Sequence, residues 1–272
     1  MARLGNRSDA VARLLRHERG IWVIGLQRAA GGRLAGSWLL GAFVALGLVL
    51  AGCATVPEDP EARAAYDETN DPLEPMNRYF FEVNYAVDEL ILKPFAGWYY
   101  VGLPKFARNG IRNALRNLNS PVIFGNDLLQ GDFERAGITL ARFVINTTLG
   151  LAGFIDVAKE MGLVYHDEDF GQTLASWGAD EGPYLVLPLI GPSNPRDATG
   201  LVVDTLMDPM FWFSNKTIRY MLYGRVALEV IDARSRNLDT LDEIRRNAID
   251  YYATIRSLYR QDRAAAIAND DE

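Results

Sequence analysis

The chain has 272 residues, with 28 basic and 35 acidic side chains, two histidines and one cysteine. A net charge of −7 gives it no global attraction for nucleic acid or for an anionic membrane surface. One cysteine excludes an internal disulfide framework, and two histidines leave little room for histidine-based metal or triad chemistry.

Residues 1–37 carry Arg3, Arg7, Arg13, Arg16, Arg19, Arg28 and Arg33 against only Asp9 and Glu18. An apolar run of 14 residues, Trp38 to Ala51, follows. It is shorter than the roughly 18–20 residues that span a bilayer and has the layout of a signal peptide. It closes on Leu50-Ala51-Gly52-Cys53, the pattern of a bacterial lipoprotein signal. Residues 1–52 are expected to be removed, with Cys53 lipidated on sulfur as the new N-terminus. The competing reading is a free or buried small cysteine. Beyond position 52, 21 basic residues face 33 acidic ones, and His166 is the only histidine.

Residues 53–70 are polar, with Pro57 and Pro60, and read as a flexible tether. The folded part, residues 71–268, opens on Asp71-Pro72-Leu73-Glu74-Pro75, with Pro75 suited to the first position of a helix. Apolar residues from Met76 to Ile91 recur at helical spacing, which predicts a helix to about Lys93 that Pro94 ends. Its aromatic load fits a core helix and a bilayer-interface helix about equally. Trp98, Tyr99 and Tyr100 form an amphipathic aromatic cluster, either interfacial or buried.

A helix is expected over Pro104 to Leu118. At about 100° per residue, Ala107, Ile111, Ala114, Leu115 and Leu118 share one arc. Lys105, Arg108, Arg112 and Arg116 fill the next arc. A basic stripe beside an apolar one sets phosphate and acyl chains on neighbouring surfaces, while an ordinary charged helix shows a solvated face. In an otherwise acidic, lipidated protein the balance tips toward headgroup contact. Ser120-Pro121 is expected to cap a separate short helix ending near Gly125 or Gly131.

Asp132 should start a helix with Ala136, Leu140, Val144 and Thr148 on one face, ending at Gly150. Gly150-Leu151-Ala152-Gly153-Phe154 is a glycine-bracketed elbow, a corner between helices or a hinge, with a short helix to follow over about 155–161. Leu151 and Phe154 are placed to plug or line a lumen. No phosphate-cradling glycine motif is present. Residues 165–169 read as an acidic surface loop without calcium-loop spacing. A helix over 170–177, an extended buried stretch over 182–193 and a helix over 197–206 come next. An aromatic patch lies at 208–213. Two final helices are expected, one over about 216–236 and one over about 239–268, the latter solvated on most sides, with residues 269–272 frayed.

From Asp71 onward the chain resembles the MlaA (VacJ) family of outer-membrane lipoproteins. Among the stretches that carry the likeness are Asp71-Pro72-Leu73-Glu74 with Asn77-Arg78, Ala107-Arg108-Asn109-Gly110, and Leu129-Gln130-Gly131-Asp132. Arg142-Phe143, Gly153-Phe154-Ile155-Asp156-Val157-Ala158, Phe170-Gly171-Gln172-Thr173-Leu174 and Gly182-Pro183-Tyr184 continue it. The resemblance implies an all-α, ring-shaped domain in the membrane interface of the outer membrane's inner leaflet, with an amphipathic channel. It implies removal of mislocalised phospholipid from the outer leaflet, association with a trimeric porin, and transfer to a periplasmic carrier. No catalysis, cofactor or metal is expected. The alternatives are an envelope scaffold without a lumen and a lipid hydrolase. Against the hydrolase stand the missing G-x-S-x-G elbow and the single histidine beyond Cys53.

Overall fold

In the computed structural model, the described residues are Asp59 and Thr69 to Asn269, without Ser214. The expected signal peptide, Cys53 and most of the tether lie outside them. Helices dominate the described residues. Helix α1 spans Glu74–Val87, with Pro75 in its first turn, where a missing N–H costs nothing. A π-helical turn, Asp88–Leu92, then runs directly into α2, Lys93–Gly102. The expectation that Pro94 ends the helix is corrected. The wide turn puts the Lys93 N–H on the Asp88 carbonyl, so the chain absorbs a proline without breaking.

The next correction concerns α3, a single helix over Lys105–Gln130 with Pro121 inside it. Ser120 does not cap a new helix; its hydroxyl donates to the Arg116 carbonyl at 3.3 Å. The helix ends at Gly131, whose φ of 81° is the left-handed conformation glycine adopts without strain.

Helix α4, Phe133–Thr148, is capped by the Asp132 carboxylate, which accepts from the Arg135 N–H at 2.9 Å. Its burial is inverted. Phe133 is 74% exposed, Leu140 49% and Val144 50%, while Thr139, Arg142 and Asn146 are buried. Arg142 clasps both Asp156 oxygens at 2.9 Å and Asn146 donates to the same carboxylate. Helix α5 is shorter than expected, Val157–Glu160, because Asp156 is its cap and holds the Lys159 N–H.

Helix α6, Phe170–Ser176, leads to a hairpin in the stretch read as extended. Strands β1, Leu185–Leu187, and β2, Gly191–Ser193, pair antiparallel, with Leu185 opposite Ser193. Asn77 of α1 is fully buried and bridges to this hairpin, donating to the Tyr184 carbonyl and accepting from the Val186 N–H. Helix α7, Pro195–Met207, a 3-10 turn at Pro209–Trp212, and α8, Lys216–Ser235, follow.

The expected last helix is two. Helix α9 is Leu238–Asn247, and α10, Tyr251–Ala268, starts afresh on the Asp250 cap. Nor is α10 solvated on most sides: Tyr252, Ile255, Tyr259, Asp262, Arg263 and Ala266 are buried. With Phe81, Tyr184 and Val186, its Tyr252, Ile255 and Tyr259 build the main apolar cluster, in which Phe81–Tyr252 and Tyr184–Tyr259 meet edge to face. Helices α6 and α7 cross backbone to backbone: a Cβ on Gly200 would lie 2.4 Å from the Gly171 nitrogen. Among the described residues no helix is long and apolar enough to cross a membrane.

Candidate functional site

Helices α3, α7 and α8 and the loop at 165–169 line a cleft of about 130 Å³. Each helix brings both apolar and charged side chains to it: Leu115, Val122 and Arg116 from α3, Leu201 and the C-cap Asp208 from α7, and Leu222, Val226, Arg225 and Glu229 from α8. Arg225, on α8, is buried and donates to Asp208 at 2.7 Å, to Glu229 at 2.9 Å and to Asn119 at 3.3 Å. Burial pushes the Glu229 carboxyl up, and Arg225 only partly offsets this.

The remaining cation of the lining is Arg116. Its guanidinium lies 4.4 Å above the Tyr165 ring. Its Nε is buried with no hydrogen-bond partner. The Tyr165 hydroxyl donates to Asp167 at 3.2 Å. Residues 165–169 are therefore a cavity wall and not a surface loop. Glu168 is buried, with Gln130 and Gln172 donating to its Oε2 at 2.8 and 2.7 Å, and its Oε1 forms an ion pair with Arg135 at 3.2 Å. Asp169 caps α6 and pairs with Arg263. Tertiary cations and amides turn this acidic run inward, and no local pattern announces them.

Burial is also the first cause that pushes the Glu168 carboxyl up, from 4.5 to about 7. A carboxyl raised on folding stabilises the fold below its unfolded pKa, and that contribution is lost as pH rises through the folded value. Between pH 5 and pH 8 the wild type should lose no more than about 3 kcal/mol from this group. The Glu168→Gln variant should lose less over the same interval. Thermal unfolding across that range checks it; equal slopes for the two proteins would contradict the assignment.

The basic stripe of α3 does not act as one surface. Arg112 donates to buried Asp232 at 2.9 and 3.3 Å, and Tyr99 and Arg236 reach the same carboxylate. Arg108 stacks on Tyr100 at 4.1 Å. Only Arg116 lines the cavity. The elbow lies against the same helix. Phe154 fills the notch left by Gly110, where a Cβ would meet the ring at 2.2 Å. Gly153, at φ 90°, sits on Asn117, and Leu151 is exposed. Leu151 and Phe154 are not among the residues lining the cavity. Leu151 and Ala152 both hold positive φ, 52° and 57°, which side-chain-bearing residues adopt at a cost of about 1 kcal/mol or more each.

The site residues that sequence reasoning missed are Arg225, Asp208, Glu229, Tyr165 and Asp167. Arg225 and Glu229 stand four apart on α8, a spacing typical of exposed helix pairs, so nothing local marks them as inward-facing. Among the described residues no group of histidine, cysteine, aspartate or glutamate could hold a metal ion.

A sequence profile of the MlaA lipoprotein family matches residues 69–266. The Intermembrane phospholipid transport system lipoprotein MlaA of Haemophilus influenzae is 36% identical over 219 residues, covering 79% of this chain and 84% of the relative. Its namesake from Escherichia coli K12 is 36% identical over 228 residues, with 82% and 86% covered. A solved structure from work on the structural basis for maintenance of bacterial outer membrane lipid asymmetry superposes with a TM-score of 0.65 at 36% identity. It covers 72% of this chain and 98% of the other. Matched from end to end of its folded part, and at this identity, the chain belongs to the MlaA lipoprotein family.

Proposed function

We propose that this protein transports phospholipid at the outer membrane and maintains its lipid asymmetry. The observation that carries this reading is the cleft, whose lining mixes apolar and charged side chains as a molecule with a phosphate headgroup and acyl chains requires. The outward faces of α2 and α4 support it. Trp98, Val101, Phe133, Leu140 and Val144 are exposed on helices too short or too polar to span, which suits a body lying in one leaflet. Relatives named as intermembrane phospholipid transport lipoproteins support it as well.

In the finer reading, Cys53 is the lipid anchor, and the ring-shaped body rests in the inner leaflet beside a trimeric porin. Lipid leaving the outer leaflet passes through the cavity to a soluble periplasmic carrier. Passage of a whole phospholipid is proposed to part the helices that line this cleft. The elbow at Gly150 and Gly153 is the proposed hinge. The anchor is checked by palmitate labelling, which Cys53→Ser should abolish.

The structure refines which arginine to test. Replacing Arg108, Arg112 and Arg116 together would strip Asp232 of Arg112 and confound folding with binding. Arg116→Gln alone is the cleaner variant, since Arg116 makes no ion pair among the described residues. It should raise outer-leaflet phospholipid and lower co-purified lipid with helicity unchanged. Wild-type lipid occupancy and asymmetry in that variant would remove Arg116 from the path.

A further inference from the structure

The charge on the cavity wall does not suit a bare phosphate. Arg225 is shared between Asp208 and Glu229, so this group carries one more carboxylate than cation. The Asp167 carboxylate lines the same space and, among the described residues, accepts from the Tyr165 hydroxyl alone. Among the described residues Arg116 is the cation of this lining that makes no ion pair, and it is held above Tyr165. A headgroup entering here meets one guanidinium open to a phosphate and, beside it, carboxylates in excess.

We propose that the cavity selects a phospholipid whose headgroup carries a primary amine next to its phosphate, in preference to anionic or quaternary-ammonium headgroups. Arg116 would take the phosphate and Asp167 and Glu229 the ammonium. This rests on the reading of the protein as a phospholipid transporter and names the substrate it prefers. The chemistry separates the three headgroup classes. An anionic phosphoglycerol headgroup adds negative charge beside carboxylates that outnumber their cations, and like charges in a partly desolvated space repel. A quaternary ammonium has no N–H to donate and is best held by open aromatic faces, but the Tyr165 face is taken by Arg116. A primary ammonium offers three donors to carboxylate acceptors.

The test uses the full-length lipidated protein in mild detergent, equilibrated with vesicles of equal parts phosphatidylethanolamine, phosphatidylglycerol and phosphatidylcholine. Bound lipid is then quantified by mass spectrometry. The expected result is about fivefold enrichment of phosphatidylethanolamine over either competitor, the ratio expected of one half-exposed ion pair. Asp167→Asn combined with Glu229→Gln should bring the bound mixture back toward the vesicle composition. Asp167→Asn alone leaves the Arg225 group intact, keeps an acceptor for Tyr165, and should remove part of the enrichment. Arg116→Gln should lower all three lipids together. Bound lipid that mirrors the vesicles, or enrichment that survives in both Asp167 variants, would overturn the selectivity while leaving transport standing. Absence of any bound lipid in the wild type would overturn both readings.

Discussion

Arg263→Met is expected to cost about 3–5 kcal/mol of stability, enough to unfold a marginal domain. The guanidinium is 1% exposed and joins three helices. It donates to Asp169, the cap of α6, at 2.8 Å and to Asp197, in the first turn of α7, at 2.8 Å. Its Nε also lies 2.6 Å from the other Asp197 oxygen, an ion pair without a well-aimed hydrogen. Burial opposes the charge, yet the two carboxylates outweigh it and hold the arginine's pKa well above its ordinary value. Methionine would fill much of the volume and remove the cation shared by partly buried Asp169 and buried Asp197, leaving Asp197 to Arg196. Chemical unfolding followed by circular dichroism measures the loss. Changing Asp169 and Asp197 to Asn in the same protein should recover much of it, because the uncompensated charges go too. A loss under 1 kcal/mol for the single variant would mean that other cations take over the pair.

Gly150→Ala should be the most disruptive glycine substitution in the elbow. A Cβ there would lie 2.1 Å from the Ile155 carbonyl oxygen and 2.6 Å from that of Asn146. Neither oxygen belongs to a side chain that can swing away. The Asn146 carbonyl accepts from the Gly153 N–H, and the Gly150 carbonyl accepts from the Ile155 N–H, both at 2.8 Å. Relief therefore means opening the turn, at a cost above the roughly 1–3 kcal/mol of ordinary overpacking. Gly137→Ala on α4 is the control of opposite sign. Nothing lies within 4 Å of its Cβ, and alanine should stabilise the helix by up to about 1 kcal/mol. Should the elbow be the hinge of transport, a disulfide tethering it to α3 leaves the fold intact and lets phospholipid accumulate in the outer leaflet. Cells that keep normal asymmetry with the oxidised tether would leave the elbow a fixed corner.

The reading of the arginines shows where local pattern stops being informative. Lys105, Arg108, Arg112 and Arg116 share a helical arc, and the arc is real. What each arginine does depends on what the rest of the chain brings opposite it: Tyr100 for Arg108, Asp232 for Arg112, Tyr165 and the cavity for Arg116. Asp232 is 120 residues away from Arg112 in sequence. Local pattern makes Pro94 a helix end and Pro121 the start of a new helix, because each removes a donor. Both are instead carried inside helices, one by a widened turn and one within a long helix held on both sides by packing. A local rule gives the cost of a proline but not whether tertiary contacts outweigh it.

The helical class, the helix start at Asp132, the extended stretch before α7 and the end of the short helix after Trp177 were legible in the sequence. These depend on neighbours within four residues, where spacing, side-chain acceptors and glycine conformation act directly. The family likeness was legible for the same reason, as ordered short blocks. Only the tertiary structure decided which faces point inward. Helix α4 turns Phe133, Leu140 and Val144 outward and buries Thr139, Arg142 and Asn146, because Asp127, Asp156 and His166 wait on its polar side. Amphipathic periodicity identifies two faces without saying which solvent each will meet. If the outward faces meet acyl chains, as proposed, burying the polar side leaves fewer groups in need of water.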